Sequence, residues 1–235
     1  LAKNIEKSDE KTGKDDVAEF LKKVAATPVR ASNGKNGRLI FAIDATASRQ
    51  PTWDKASHLQ HEMFEEAASM GGLELQVAFF RGFGEFKATK WTTDSQALIR
   101  PMSRVFCLGG HTQIEKVLKH ALRQTKKERV NALVYVGDCM EEDADQLCHL
   151  AGQLGMLKVP IFLFQEGFDA IAENCFRQMA RISGGAYCRF DSASAATLRN
   201  LLRAVAAYAA GGRKALSDLS KKSGGEAQLL LKQIK

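Results

Sequence analysis

The chain has 235 residues, 45% of them hydrophobic, and a net charge of +7, which allows one large domain with a sizeable core and tails. No apolar run approaches the roughly 20 residues a membrane helix needs, so no membrane span is expected. Residues 1–29 lack the apolar stretch of a signal peptide, and the start at Leu1 leaves a segment upstream open.

The basic charge sits in the tails. Residues 1–38 carry net +3 and 213–235 net +4, whereas 39–212 hold 19 Lys/Arg against 19 Asp/Glu. A basic groove in the folded part is thereby excluded. Without interleaved aromatics the tail lysines form no stacking platform, so nucleic acid is not expected as a partner. Of the five cysteines, 107, 139, 148, 175 and 188, no two are spaced as CxxC and none as CxxH. They read as reduced thiols of a cytoplasmic protein. Cys139 alone adjoins a candidate site residue.

In chain order, 1–14 is charged, without periodicity, and reads as disordered. Asp15 and Asp16 open a short helix to about Ala25, with Val17, Phe20, Leu21 and Val24 on one face, stopped by Thr27-Pro28. Residues 1–37 form an N-terminal segment, 38–212 the domain and 213–235 a basic tail. Strands are expected over Arg38–Asp44, Leu73–Arg81, Glu85–Thr92, Asn131–Asp138, Val159–Gln165 and Ala186–Phe190. Gly82-Phe83-Gly84 joins the second and third as an antiparallel hairpin. Helices are expected over Trp53–Met70, Asp94–Val105 (interrupted near Pro101), Thr112–Lys127, Glu142–Leu154 (ended by Gly155), Asp169–Ile182 and Ala195–Ala210. The alternation implies a doubly wound, mostly parallel six-stranded α/β sheet, with one antiparallel edge strand and helices on both faces.

Ligands of such sheets bind beyond the strand carboxyl ends, where strand order reverses. With order 3-2-1-4-5-6, Asp44 and Asp138 end neighbouring strands at that point. Two acids there are costly unless a cation lies between them. Asp44, Thr46 and Ser48 alternate with alanines, so three oxygen-bearing side chains can turn inward together, and Thr112 follows Gly109-Gly110-His111 at a helix start. Oxygen donors without a His or Cys cluster suit a hard cation: Mg²⁺ first, then Mn²⁺ or Ca²⁺. With few charged donors the cation stays electrophilic and can accept a carboxylate from a protein partner.

These residues resemble the von Willebrand factor A domain with its metal-ion-dependent adhesion site. That family's motif is Asp-x-Ser-x-Ser after the first strand, a Thr before a central helix and an Asp ending the fourth strand. Asp44-Ala45-Thr46-Ala47-Ser48, Thr112 in GGHTQIEKVLKHAL and Asp138 in VYVGD match it, and VPIFLFQEG and ISGGAYCRFD resemble later elements. The resemblance covers about 38–210. It implies a Rossmann-like fold, a metal site of Asp44, Thr46, Ser48, Thr112 and Asp138, and binding of a protein rather than catalysis. Asp138 is implied to act through water. Thr46 departs from the family serine but keeps its hydroxyl.

Two other readings compete. Asp44 and Asp138 are ordinary helix caps, and Thr46, Ser48 and Thr112 ordinary loop residues. Alternatively, Asp44-Ala45-Thr46 and Gly137-Asp138 resemble haloacid dehalogenase-like phosphotransferases, with Asp44 as nucleophile. Thr46 stands where that family carries its general acid/base, so the proton carrier is missing. No GxGxxG, GxSxG or P-loop is present. Glu141, Glu142 and Asp143 either enlarge a negative rim or, as favoured, complement the dipole of the helix they precede. His58, His61 and His111 show no paired ligand spacing.

Overall fold

Apolar strands buried on both faces need helical cover on each, and the structure, a computed structural model, has that arrangement. It describes residues 19–20, 23–24, 36–50, 73–190 and 203–209. The strands are β1 (Gly37–Asp44), β2 (Leu73–Arg81), β3 (Glu85–Ala88), β4 (Ala132–Gly137), β5 (Ile161–Glu166) and β6 (Ala186–Phe190), in the order β3-β2-β1-β4-β5-β6. All neighbours are parallel except β2 and β3. This is the mostly parallel six-stranded sheet expected from the sequence, and its order is the one under which Asp44 and Asp138 flank the reversal point. The helices are α1 (Ser95–Met102), α2 (Ile114–Lys127), α3 (Ala144–Met156) and α4 (Ala170–Ser183).

Side chains alternate between the faces. Leu39, Phe41 and Ile43 of β1 join Phe20, Val24, Leu98, Met102, Val205 and Tyr208 in one core layer. Ile40 and Ala42 face the other layer, built on Val117 and Leu118 of α2, Leu147 and Leu154 of α3, and Phe176 and Met179 of α4. Phe20 and Val24 are fully buried, as their helical spacing anticipates. The helix expected over 53–70, residues 1–14, Val17, Leu21, most of the helix expected over 195–210, and the tail after 212 lie outside the described residues.

Most boundaries shift by one to three residues, and three of the differences have a visible physical reason. The third strand stops at Ala88: Thr89 N still donates to Val77 O at 2.8 Å, but the Val77 N–H goes to the Thr89 hydroxyl at 3.0 Å, and the next backbone pairing with β2 is where Thr92 and Leu75 exchange hydrogen bonds. The helix expected from Thr112 begins at Ile114, after an N-cap Gln113 whose own side chain caps nothing. Gly155 does not end α3, which continues to Met156. A Cβ at Gly155 would come 2.6 Å from the Ile182 carbonyl oxygen, so the glycine lets α3 approach α4. Gly184, at φ +75°, does end α4, with the left-handed residue that commonly stops helices.

Candidate metal centre

The sheet order puts the reversal point between β1 and β4, and Asp44 and Asp138 flank it. Asp44 is the last residue of β1 and is fully buried. Its Oδ1 accepts from Thr46 N at 2.7 Å, an Asx-type turn that bends the chain off the strand. A 3-10 turn over Ala47–Arg49 follows, and Thr46 Oγ1 and Ser48 Oγ share a hydrogen bond of 3.1 Å. The three oxygen-bearing side chains of the alternating motif are thus brought together. Leu108 N donates to Ala45 O at 3.1 Å and pins the loop preceding α2 against this turn.

Asp44 Oδ2 is buried and has no hydrogen-bond partner among the described residues. Burial pushes the carboxyl up to about 6, against the hydrogen bonds from Thr46; the Asp138 charge adds to the rise and Arg49 opposes it. Asp138 is half-buried, and its Oδ1 accepts from Cys139 N at 3.0 Å. Neither aspartate caps a described helix: α3 is capped by Asp143, which accepts from Gln146 N at 2.8 Å, and α4 by Asp169. The helix-cap reading of Asp44 and Asp138 therefore does not hold.

Thr112 is buried on the opposite wall, but its hydroxyl is already engaged. It donates to Glu142 Oε2 and accepts from Glu141 N at 2.9 Å. Glu141 Oε2 accepts from Thr112 N at 2.9 Å, and Glu142 Oε1 from Glu115 N at 3.3 Å. Only Asp143 serves the helix it precedes. Glu141 and Glu142 cap α2 instead, from a loop about 30 residues away in sequence. They correct the expectation for this acidic run: Glu142 takes Glu115 N, one of the first-turn N–H groups that Gln113 leaves open, and Glu141 holds Thr112 N just before the helix. Local sequence carries no sign of such a cap supplied by another element.

Arg49 was also missed. Its side chain is fully buried and pairs with Glu166 at 3.1 Å, tying the motif loop to the end of β5. Gly110 packs so tightly on the β2–β3 turn that a Cβ would strike the Gly82 carbonyl. His111 lies edge-on to Phe83, centroids 5.3 Å apart, and its Nδ1 is 3.2 Å from Glu141 Oε2. All five cysteines are free, four of them buried. Burial, and after it the Asp138 charge, pushes the Cys139 thiol up to about 12, so it is not a reactive thiolate.

Among the described residues no three His, Cys, Asp or Glu side chains converge as a metal-binding group. The arrangement is of another kind. Asp44, Thr46 and Ser48 share one turn at the reversal point, the Asp138 charge acts on Asp44, and Asp44 Oδ2 is buried without a partner among the described residues; oxygen donors of this kind suit a hard cation.

No family model matches the sequence, and no curated protein matches it. Solved structures do match. BatB from Bacteroides thetaiotaomicron, a conserved hypothetical protein, aligns over 72% of this chain and 97% of its own, with 16% identity and TM-score 0.57. The SpRpn10 VWA domain aligns over 71% and 94%, with 12% identity and TM-score 0.58. Proximal thread matrix protein 1 from the mussel byssus, with a zinc-occupied MIDAS motif, aligns over 73% and 46%, with 12% identity and TM-score 0.59. With the sheet order above, these similarities show that the chain has the Rossmann-like fold of von Willebrand factor A domains.

Proposed function

We propose that this chain is a protein-binding module that holds a divalent cation at Asp44, Thr46, Ser48, Thr112 and Asp138 and uses it to take a carboxylate from a partner protein. One observation carries the reading: Asp44 Oδ2 is buried without a partner at the reversal point of the sheet. An ionised oxygen so placed is costly unless a positive charge meets it. Mg²⁺ suits the donors best, with Mn²⁺ and Ca²⁺ behind it. The zinc-occupied motif of the mussel protein supports a divalent cation as the class of occupant.

The surroundings support a protein as partner. Phe83, Phe106 and Phe168 are 83%, 54% and 72% exposed, and all three stand on loops beyond strand carboxyl ends. Exposed aromatics around a polar centre suit a carboxylate flanked by apolar side chains. The reading is of a binder rather than an enzyme, because Thr46 stands where a phosphotransferase would carry its proton shuttle. The free thiols agree with a cytoplasmic place. No helix among the described residues is long and apolar enough to cross a membrane.

Titration calorimetry with MgCl₂ tests the reading. Binding heat is expected from the wild type and none from Asp44→Ala; equal heats would remove the metal assignment. A phosphatase screen with Asp44→Asn as control addresses the other class, and Asp44-dependent turnover would overturn the binding reading.

A further inference from the structure

Tyr135 lies on β4 in a run of apolar residues and, by pattern alone, is core. Its ring is stacked on Phe80, centroids 6.4 Å apart at 13°, and meets Phe176 edge-on at 5.6 Å. Those contacts are what a phenylalanine would make, and they leave the hydroxyl to be explained. The oxygen is fully buried and has no hydrogen-bond partner among the described residues. Such a group is rare and costly in a folded protein.

Its position relates it to the site. Tyr135 pairs with Ala42 across β1 and β4, so the two share a face, and Asp44 lies two residues beyond Ala42 on that face. The phenol reaches along β4 over Gly137, where a Cβ would collide with it. Gly137 follows Val136, the partner of Ile43, and so stands beside Asp44 on the neighbouring strand, about 5 Å away. Burial first, then the charges of Asp44, Glu142 and Asp138, hold the hydroxyl well above its ordinary ionisation range. It is therefore a neutral donor and acceptor among the candidate ligands. Two buried atoms without partners among the described residues, Tyr135 Oη and Asp44 Oδ2, thus belong to residues on one face of neighbouring strands, and the phenol lies over Gly137, the position beside Asp44.

We propose that Tyr135 is a further polar member of this cation site, its hydroxyl hydrogen-bonding from the floor to water carried by the cation. A neutral phenol is a weak ligand, which is why the contact is through water. The proposal rests on the cation reading above and adds a residue to it.

The test is Tyr135→Phe in the full chain, titrated with MgCl₂ and with CaCl₂ beside the wild type, with thermal unfolding of each metal-free protein. Phenylalanine keeps both ring contacts and deletes only the oxygen. Mg²⁺ affinity is expected to fall roughly 10-fold, the size of an outer-shell loss. Ca²⁺ affinity should fall less, since Mg²⁺ retains its water more tightly. The metal-free midpoint should stay level or rise, because an unsatisfied buried group is gone. Wild-type Mg²⁺ affinity in Tyr135→Phe, equal losses for the two ions, or a lowered metal-free midpoint would each overturn the role of Tyr135 while leaving the cation site standing. A wild type that binds neither ion would overturn both.

Discussion

The Arg49 guanidinium meets the Glu166 carboxylate at 3.1 Å, with the arginine side chain wholly buried and the glutamate 12% exposed. This pair joins the turn that carries Thr46 and Ser48 to the end of β5. Removing either partner breaks a buried ion pair, at a cost of about 3–5 kcal/mol. Arg49→Met and Glu166→Gln are each expected to lose about that much in urea unfolding. Replacing both by apolar residues should recover most of it. Single losses under about 1 kcal/mol would show that water reaches the pair.

Gly155 gives a prediction of reversed sign. In an exposed helix Gly→Ala stabilises by about 1 kcal/mol. Here the added carbon would lie 2.6 Å from the Ile182 carbonyl oxygen, which is backbone and cannot yield cheaply. Gly155→Ala should instead destabilise by roughly 1–3 kcal/mol, visible as a lower denaturation midpoint. A raised midpoint would mean that α3 and α4 separate easily.

The cap of α2 supplied by Glu142 is open to a double-mutant cycle. The Thr112 hydroxyl donates to Glu142 Oε2, and Glu115 N donates to Oε1 at 3.3 Å. Thr112→Val and Glu142→Gln should be non-additive, with a coupling of about 1–2 kcal/mol. Additive losses would mean that the two residues act independently.

His120 predicts a pH dependence away from the site. Gln76 Nε2 donates to Thr89 O at 2.8 Å, which leaves Oε1 to accept from His120 Nε2 at 2.7 Å and so places a proton on that nitrogen. Burial, with Arg123 and Lys127 adding to it, lowers the group from 6.5 to about 4. The unfolded chain then binds a proton that the folded chain refuses. The stabilisation is complete above about 6.5 and is lost as pH falls towards 4. Urea unfolding at pH 7 and pH 5 should differ by about 2 kcal/mol from this group, and His120→Gln should flatten that part of the slope.

The parallel sheet was legible because apolar strand runs and amphipathic helices alternate, whereas strand order, which that alternation leaves open, came from the structure. The positions of Asp44 and Asp138 followed, since each is the polar residue that ends or follows a buried strand. The parts that were not legible depend on contacts far apart in sequence. Arg49 and Glu166 are 117 residues apart, and Glu142 serves a helix that starts 28 residues before it. Tyr135 hid in an apolar run, because a strand pattern marks which face a residue takes but not whether its hydroxyl is satisfied. Gly155 looked like a helix stop, whereas its role is the distance between two helices.

The most direct measurement of the central claim is thermal unfolding of the wild type and Asp44→Asn, each with and without saturating Mg²⁺. Asp44 is raised from 3.8 to about 6 by burial, so its stabilising contribution is present below 3.8 and lost as pH rises through about 6. Above that the ionised, metal-free carboxylate costs up to about 3 kcal/mol. At pH 7.5 the metal-free Asp44→Asn protein should therefore unfold at a higher temperature than the metal-free wild type. Mg²⁺ should raise the wild-type midpoint and leave the variant unmoved. An unchanged wild-type midpoint, or an equal rise in both proteins, would contradict the account.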